Sequence, residues 1–313
     1  RRNLRRSEVL AFFEKQPALE VVLEACGGSH YWGRALQEFG HRVRLIPAQY
    51  VKPFVKRGKN DRNDAEAICV AAGQPSIGSV PVKSAEDQAR AMLLTTRELL
   101  VRQRTQLVNA LRGHASELGL VAPKGDKGLQ QLQAEIATGE EARVPAAAKQ
   151  ALATLGREIA RLEARLAEID AKVIAQHKAT PLSQRLAAIP GVGPVSALNL
   201  ALRVDPGQFR SGRHFAAWLG LVPQQRSTGG KQRLGGISRA GDERLRQLLV
   251  LGATAVIQHA RPDRPNASLW LLELLKRRPR KLVAVALANK MARIVWAMMT
   301  SGEAYRPPAP VAA

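Results

Sequence analysis

Two aspartates three residues apart, Asp61 and Asp64, stand at the start of an apolar helical pattern. Residues at this spacing share one face of a helix, with their Cβ atoms roughly 5–6 Å apart. Paired carboxylates suit Mg²⁺, which proteins bind through one or two carboxylates together with water and phosphate oxygens. Acidic side chains in a first helical turn also interact favourably with the helix dipole. The pair therefore predicts either a metal site or a purely structural helix start.

A third carboxylate, Glu24, lies near the end of an apolar run at 19–25 that predicts a buried strand. A helical pattern and a second strand at 42–46 follow, and this βαβ order predicts a parallel sheet. Ligand sites in such sheets lie at the carboxyl ends of the strands. Glu24, Asp61 and Asp64 thus form a candidate acidic cluster for metal-assisted phosphoryl transfer, in which metal ions activate one oxygen and stabilise the leaving one. For Glu24 alone, a solvated charge at a strand end is the alternative.

The stretch 226–241 combines five glycines, two serines and four basic residues. Backbone N–H groups at glycines can approach a phosphate closely, so this composition predicts a phosphate-gripping loop, with a surface linker as the alternative. A serine in such a loop can act as a nucleophile, because neighbouring cations stabilise the developing charge. The residue types do not choose between Ser227 and Ser238. The four basic residues are Arg226, Lys231, Arg233 and Arg239.

Two further stretches predict contact with phosphates. Residues 186–198 have the pattern of a helix, a Pro-Gly-Val-Gly turn and a second helix, which is the signature of a helix-hairpin-helix. Gly191 and Gly193 would let backbone N–H groups approach DNA without regard to its sequence, and a tight helical turn is the alternative. No acidic residue occurs from 274 to 302, so the basic residues there favour salt-dependent phosphate contact over a merely solvated face. The leading candidates in this stretch are Lys276, Arg277 and Arg278.

The middle of the chain has a helical pattern of its own. Residues 84–118 predict a long helix, and apolar residues recur at alternating spacings of three and four from Leu152 to Val173. The two helices predict a coiled-coil arm, either as an internal antiparallel hairpin or as a pairing between chains. The predicted domains are an α/β domain at 1–83, the arm at 84–180, a mainly helical C-terminal domain at 181–302 and a Pro-rich disordered tail at 303–313.

The charge of the chain favours a polyanionic partner. Its 313 residues include 48 Lys and Arg against 26 Asp and Glu, a net charge of +22. Such an excess favours nucleic acid and disfavours a small-molecule substrate. Aromatic residues are only 4%, which argues against base stacking as the main binding device. The two cysteines are too few for a disulfide framework and lack the spacing of a zinc site, so a reduced compartment is expected. No uncharged apolar run is long enough to span a membrane, and a cytoplasmic location is expected.

Taken in order, these motifs closely resemble the DEDD-type insertion-sequence transposases of the IS110 family, and among them the IS1111 branch. The resemblance rests on Leu-Glu-Ala-Cys-Gly-Gly around Glu24, Lys-Asn-Asp-Arg-Asn-Asp from 59 to 64, the heptad arm, Ile-Pro-Gly-Val-Gly-Pro and Ser-Thr-Gly-Gly-Lys. It implies a RuvC-like, RNase H-type domain with four acidic residues, of which Glu24, Asp61 and Asp64 match the second, third and fourth. In that family these residues bind Mg²⁺.

The resemblance also implies a chemistry and a set of partners. The family's serine is a nucleophile that becomes covalently linked to DNA, and its Ser-Ser-Gly-Gly-Lys pattern matches residues 227–231. Ser227 is therefore the expected nucleophile, with Thr228 a departure from the pattern and Ser238 the fallback. The family joins double-stranded donor and target DNA under the guidance of a structured noncoding bridge RNA. It works as dimers that assemble into tetramers, in the bacterial cytoplasm at the nucleoid.

One departure concerns the family's first acidic residue, which lies in an N-terminal strand of the type Gly-Ile-Asp. No such strand precedes Arg1, so we expect a sheet without its first strands and a chain impaired in metal binding. Two alternatives to a DNA recombinase are kept. One is a non-catalytic nucleic-acid-binding protein, either a decayed transposase or an architectural helix-hairpin-helix binder. The other is a metal-only nuclease of the Holliday-junction type, which requires no serine.

Overall fold

A computed structural model describes residues 2–56, 58, 60–138, 144–261 and 268–307. The chain divides into two compact units, Arg1–Ala89 and Arg90–Ala313. The arm predicted at 84–180 and the C-terminal domain predicted at 181–302 fall almost entirely within the second unit. Residues 308–313 of the predicted tail, and Lys59 of the acidic motif, lie outside the described residues.

The first unit contains a two-stranded parallel sheet. Helix α1 (Val9–Glu14) precedes strand β1 (Glu20–Ala25), and helix α2 (Ser29–Glu38) connects it to strand β2 (Arg42–Pro47). The strands pair in parallel along their whole length, which confirms the predicted βαβ unit. Their β-branched and leucine side chains favour a strand whose faces are covered by other elements.

Both faces of β2 are buried. Leu45 and Ile46 are adjacent, so their side chains point to opposite faces, and both are fully inaccessible to solvent. Helix α3 (Ala48–Val51) and helix α4 (Asp61–Ala72) follow the strand, and Ile46 packs in one apolar cluster with Ala67 of α4. The small alanines of α4 allow this helix to lie close to the sheet.

Long helices make up the first part of the second unit, and the first of them begins a few residues before the boundary at Ala89. Their bounds are α5 (Ala85–Ser116), α6 (Asp126–Thr138) and α7 (Ala146–Ala179). Helices α5 and α7 run antiparallel within one chain, because Arg97 pairs with Asp170 while Arg104 lies 2.7 Å from Glu163. Most of the predicted heptad stripe of α7 is buried, and Leu152 and Ile159 share a cluster with apolar residues of α5 and α6.

Shorter helices and a hairpin complete the second unit. In chain order they are α8 (Pro181–Leu186), α9 (Pro194–Arg203), α10 (Gly212–Trp218), β3 (Pro223–Gln225), β4 (Leu234–Ile237), α11 (Glu243–His259), α12 (Leu269–Arg277) and α13 (Arg280–Ser301). The largest apolar cluster of the described chain lies among these elements. Strands β3 and β4 pair antiparallel.

Helix α13 is the central helix of this cluster. It is long and apolar enough to cross a bilayer by length and composition, and is the one helix in the described ranges that meets that test. Its buried side chains all belong to the protein core, which accounts for its apolar character. They are Val283, Ala284, Ala288, Met291, Ala292, Val295 and Met298.

A contact between two backbones fixes the turn between α8 and α9 against α11. Gly191 adopts φ +85°, and a Cβ built on it would lie 2.7 Å from the carbonyl oxygen of Gly252. A Cβ on Gly252 would in turn overlap the carbonyl oxygen of Gly191. Two glycines are therefore needed where the turn crosses the helix.

The Gly191–Gly252 contact predicts that Gly252→Ala lowers the free energy of unfolding of the second unit by about 3 kcal/mol, because the turn must move away from α11. Urea denaturation followed by circular dichroism measures the change. Gly156→Ala is the control: its Cβ would meet no atom closer than 3.9 Å in the middle of α7, and it should gain about 0.5–1 kcal/mol. Equal stability of the two variants would contradict the packing described.

Candidate functional site

The start of α4 carries the predicted pair of aspartates. Asn60 is the N-cap, since its Oδ1 accepts a hydrogen bond from the backbone N–H of Asn63 at 2.8 Å. Asp61 and Asp64 therefore do not serve as the cap of this helix. Asp61 is exposed and Asp64 is half-buried. Neither carboxylate has an ion pair or a side-chain hydrogen bond among the described residues, so both remain available to a ligand.

Glu24 lies on the face of the sheet that α4 covers. Side chains alternate along a strand, so Glu24 shares a face with Val22, and Val22 packs in the apolar cluster with Ala67 of α4. The end of α4 lies beside the middle of β2, where the Arg44 guanidinium is 3.4 Å from the carbonyl oxygen of Ala72. Helix α4 thus runs back along the sheet, with its first turn towards the carboxyl ends of the strands.

The donor chemistry of this region fits Mg²⁺ only in part. Two carboxylates on one helix face match the one or two that Mg²⁺ takes from a protein when phosphate and water complete its shell. Within the described ranges, however, no three His, Cys, Asp or Glu side chains are grouped so that they could hold a metal. Asp61, Asp64 and Glu24 therefore do not form a complete protein cage by themselves.

The glycine-rich stretch forms a β-hairpin rather than an extended loop. Thr228 and Lys231 pair across a two-residue turn, and Gly229 and Gly230 have φ values of +55° and +73°. Positive φ at both central residues is the geometry that matches the twist of paired strands. A Gly-Gly pair between two short polar segments was the sequence signal for this hairpin, and composition alone did not reveal it.

The two candidate serines have different environments in and beside this hairpin. Ser227 is exposed, and its Oγ accepts a hydrogen bond from the backbone N–H of Arg233 at 3.2 Å. The Oγ of Ser238 is shielded from solvent and has no hydrogen-bond partner in the described structure. In this arrangement the Ser227 hydroxyl is open to a phosphate, whereas the Ser238 hydroxyl is covered.

The basic side chains of the hairpin region point into solvent. All four are exposed, and none of them has a carboxylate partner in the part of the chain that the structure describes. They are Arg226, Lys231, Arg233 and Arg239. Unpaired cations around an exposed hydroxyl favour the approach of a phosphate.

A buried arginine attaches the hairpin to the core. Arg246 of α11 is only 8% exposed, and its guanidinium donates hydrogen bonds to the carbonyl oxygens of Leu219 at 3.0 Å and Ala240 at 2.7 Å. These carbonyls lie on either side of the hairpin in sequence. Arg239, next to Ala240, has φ +55°, a strained value for a residue other than glycine. No local pattern around Arg246 indicated this role.

The remaining phosphate-contact candidates differ in availability. Gly191 is packed against α11, whereas Gly193 is exposed, with open space at its Cβ position directly before α9. Gly193 is thus the glycine of this turn that a phosphate can approach.

The basic candidates near the end of α12 differ in their partners. Lys276 donates to Glu273 at 2.8 Å, and this bond lowers the pKa of Glu273. Of the remaining two candidates, Arg277 donates to the Glu273 carbonyl oxygen; Arg278 is exposed.

Comparison with known proteins identifies the family. Residues 183–267 match the Transposase IS116/IS110/IS902 family, and residues 4–119 match the DEDD transposases of IS110. Over 98% of its length the chain is 52% identical to the "Putative transposase y4pF/y4sB" of Sinorhizobium fredii (strain NBRC 101917 / NGR234), 79% of which is covered. The chain belongs to the IS110 family of transposases. This confirms the resemblance found in its motifs.

Two further relatives of this IS110-family transposase are similar along nearly the whole chain. The "Probable family 20 transposase" of Pseudomonas aeruginosa is 49% identical over 98% of this chain and 91% of its own. The "Transposase for insertion sequence element IS1111A" of Coxiella burnetii is 40% identical over 91% of this chain and 79% of its own. The matched segment 4–119 contains Glu24, Asp61 and Asp64, and the matched segment 183–267 contains the hairpin with Ser227.

The buried position of Arg246 predicts that Arg246→Met lowers the free energy of unfolding of the second unit by about 3 kcal/mol, because the carbonyl oxygens of Leu219 and Ala240 lose a charged donor. Arg244→Met on the same helix is the control. Its Nε is 3.7 Å from Glu98 at a half-exposed site, so it should cost less than about 1 kcal/mol. Urea denaturation of both variants checks this, and a cost for Arg246→Met no larger than the control's would disprove the anchoring role.

Proposed function

We propose that this transposase cuts and rejoins DNA strands through a covalent intermediate on Ser227. The observation that carries the proposal is the contrast between the two serines: an exposed hydroxyl on a cationic hairpin for Ser227, and a shielded hydroxyl for Ser238. The family membership supplies the reaction class, which is the movement of an insertion sequence.

The proposed step keeps the free energy of the phosphodiester bond in a covalent bond between serine and phosphate. The Ser227 Oγ attacks the phosphorus, an Oγ–P bond forms, and the bond from phosphorus to one deoxyribose oxygen breaks. The serine proton passes overall to that leaving oxygen. A hydroxyl of a second strand then reverses the step, which releases Ser227 and joins the new strand without an external energy source.

The hairpin residues have distinct roles in this step. The backbone N–H of Arg233 donates to the Ser227 Oγ and orients the hydroxyl, and it can also stabilise the oxyanion as the proton leaves. The exposed guanidinium groups of Arg226 and Arg233 would offset the charge that builds up on the phosphoryl oxygens. Arg246 acts indirectly, because it fixes the base of the hairpin.

The acidic residues of the first unit are proposed as the metal ligands. Asp61 and Asp64 would supply two carboxylates, and Glu24, on the face of the sheet that α4 covers, would supply a third. Mg²⁺, when bound, supplies positive charge and Lewis acidity towards phosphate oxygens. Substrate phosphate and water would complete its shell, in keeping with the small number of protein ligands available.

The partners follow from the family and the charge. We propose double-stranded donor and target DNA, a bridge RNA that pairs with both, and assembly as dimers that join into tetramers. The net charge of +22 supports two polyanionic partners on one chain. Phosphate contacts are proposed at Gly193, at the four hairpin cations and at Lys276, Arg277 and Arg278.

The nucleophile is tested by trapping the adduct. The full chain is incubated with end-labelled DNA of the insertion-sequence end, its noncoding RNA and Mg²⁺, and protein-linked label is measured after denaturation. Ser227→Ala is expected to lower the adduct about 1,000-fold or more while DNA binding persists. Ser238→Ala, the control, should keep the adduct and lose no stability, because its hydroxyl has no partner.

Three results would overturn the assignment of Ser227. An adduct that survives Ser227→Ala but disappears in Ser238→Ala would transfer the role to Ser238. DNA cleavage without any adduct would favour a metal-only nuclease, and binding without cleavage would favour a non-catalytic protein.

The metal role is tested with the double variant Asp61→Asn, Asp64→Asn. Loss of both carboxylates is expected to lower Mg²⁺-dependent adduct formation about 100-fold while duplex DNA binding changes little. Glu66→Gln is the control on the same helix, where Glu66 pairs with Lys56. A double variant that is only less stable, with its Mg²⁺ dependence intact, would mean that the aspartates serve the helix dipole alone.

A further inference from the structure

A cationic groove with an exposed tryptophan lies on the second unit, apart from the Ser227 hairpin in sequence. It is bounded by the start of α10, by α12 and by α13. Among the described residues that line it there are several cations and no acid. Those used below are Gly212, Arg213, Trp270, Lys290 and Arg293.

A glycine contact brings two of these cations to the same groove. A Cβ on Gly212 would lie 3.1 Å from the Cα of Arg293, so the first turn of α10 rests directly on the α13 backbone. Because Arg213 is next to Gly212, this contact brings Arg213 and Arg293 into the same groove. Both side chains are exposed. Neither has a carboxylate partner in the described part of the chain, and like charges held together favour an anion between them.

Trp270 supplies an aromatic surface at the same place. Its side chain is 40% exposed, and the Lys290 ammonium lies 4.5 Å from the centre of its ring system. Of the other tryptophans of this unit, Trp218 stacks on Phe215, and Trp296, which also lines the groove, donates its indole N–H to the carbonyl oxygen of Pro206. The cation–π contact with Lys290 holds the indole in place, and an exposed indole is a surface on which a nucleotide base can stack.

We propose that this groove binds an unpaired nucleotide of a single strand. Trp270 stacks on the base, and Arg213 and Arg293 contact the phosphates beside it. Paired bases within a duplex cannot expose a free face to an indole, so the chemistry selects a single strand, of RNA or of DNA. The proposal rests on the proposed function, which makes nucleic acid the partner, and adds the kind of segment that this surface takes.

The test measures binding of the full chain to labelled 12-nucleotide oligo(dT), oligo(rU) and a 12-base-pair duplex by fluorescence anisotropy. Trp270→Leu is expected to weaken binding of a single strand about 10-fold or more and to leave the duplex unchanged. Trp270→Phe, which keeps a ring, should recover most of the loss. Leu269→Ala, at an exposed neighbouring position on α12, is the control and should bind as the unaltered chain does.

The cations are tested by salt dependence. Arg213→Gln with Arg293→Gln should reduce the slope of log Kd against log salt for the single strand by about 1.4, since each phosphate contact contributes about 0.7. Arg157→Gln with Arg165→Gln removes two exposed cations from α7 and is the matched control. A reduction no larger than that of the control would overturn the role of the groove.

The outcomes separate this proposal from the proposed function. A larger Trp270→Leu effect on oligo(rU) assigns the groove to RNA, and a larger effect on oligo(dT) assigns it to a DNA strand; both support it. If Trp270→Leu binds single strands as tightly as the unaltered chain while the Ser227 adduct still forms, the groove proposal alone is wrong. If the unaltered chain binds none of the three probes and forms no adduct, both proposals fail.

Discussion

The contact between the Gly191 and Gly252 backbones is the constraint on which the second unit depends. It places the turn before α9 directly on the middle of α11. The same helix carries Arg246, which binds the backbone on both sides of the hairpin. Its N-cap, Asp242, lies 3.5 Å from Arg203 at the end of α9. Helix α11 therefore positions both the exposed Gly193 and the Ser227 hairpin. A displacement of the turn would disturb two candidate contacts with DNA at once.

The distribution of charge partners separates structural surfaces from binding surfaces. In the long helices, Arg97 pairs with Asp170 and Arg104 with Glu163, so carboxylates there offset cations within the fold. On the hairpin and in the Trp270 groove the described cations have no such partners. A protein with a net charge of +22 has too few acids to neutralise every cation. The surfaces left without acids are those where a polyanion gains most by binding.

The candidate chemistry rests on solvent access rather than on residue type alone. Two serines near basic residues were equivalent in the sequence, and the structure gives one of them an exposed hydroxyl and the other a shielded one. Likewise Gly191 and Gly193 belong to one motif, but only Gly193 leaves room for a phosphate. In both cases the difference arises from the elements that pack against the motif.

The sequence by itself determined the family, the βαβ unit, the start of α4 and the buried stripe of α7, because these depend on local periodicity and on motifs of a few residues. Asp61 could be located at a helix start, since Asn60 and the alanine-rich run that follows specify that start locally. Only the tertiary structure decided that the Ser238 hydroxyl is shielded, that Arg246 anchors the hairpin and that Trp270 shares a groove with Arg213 and Arg293. Burial and groove formation depend on residues far apart in the chain, so no local pattern contains that information.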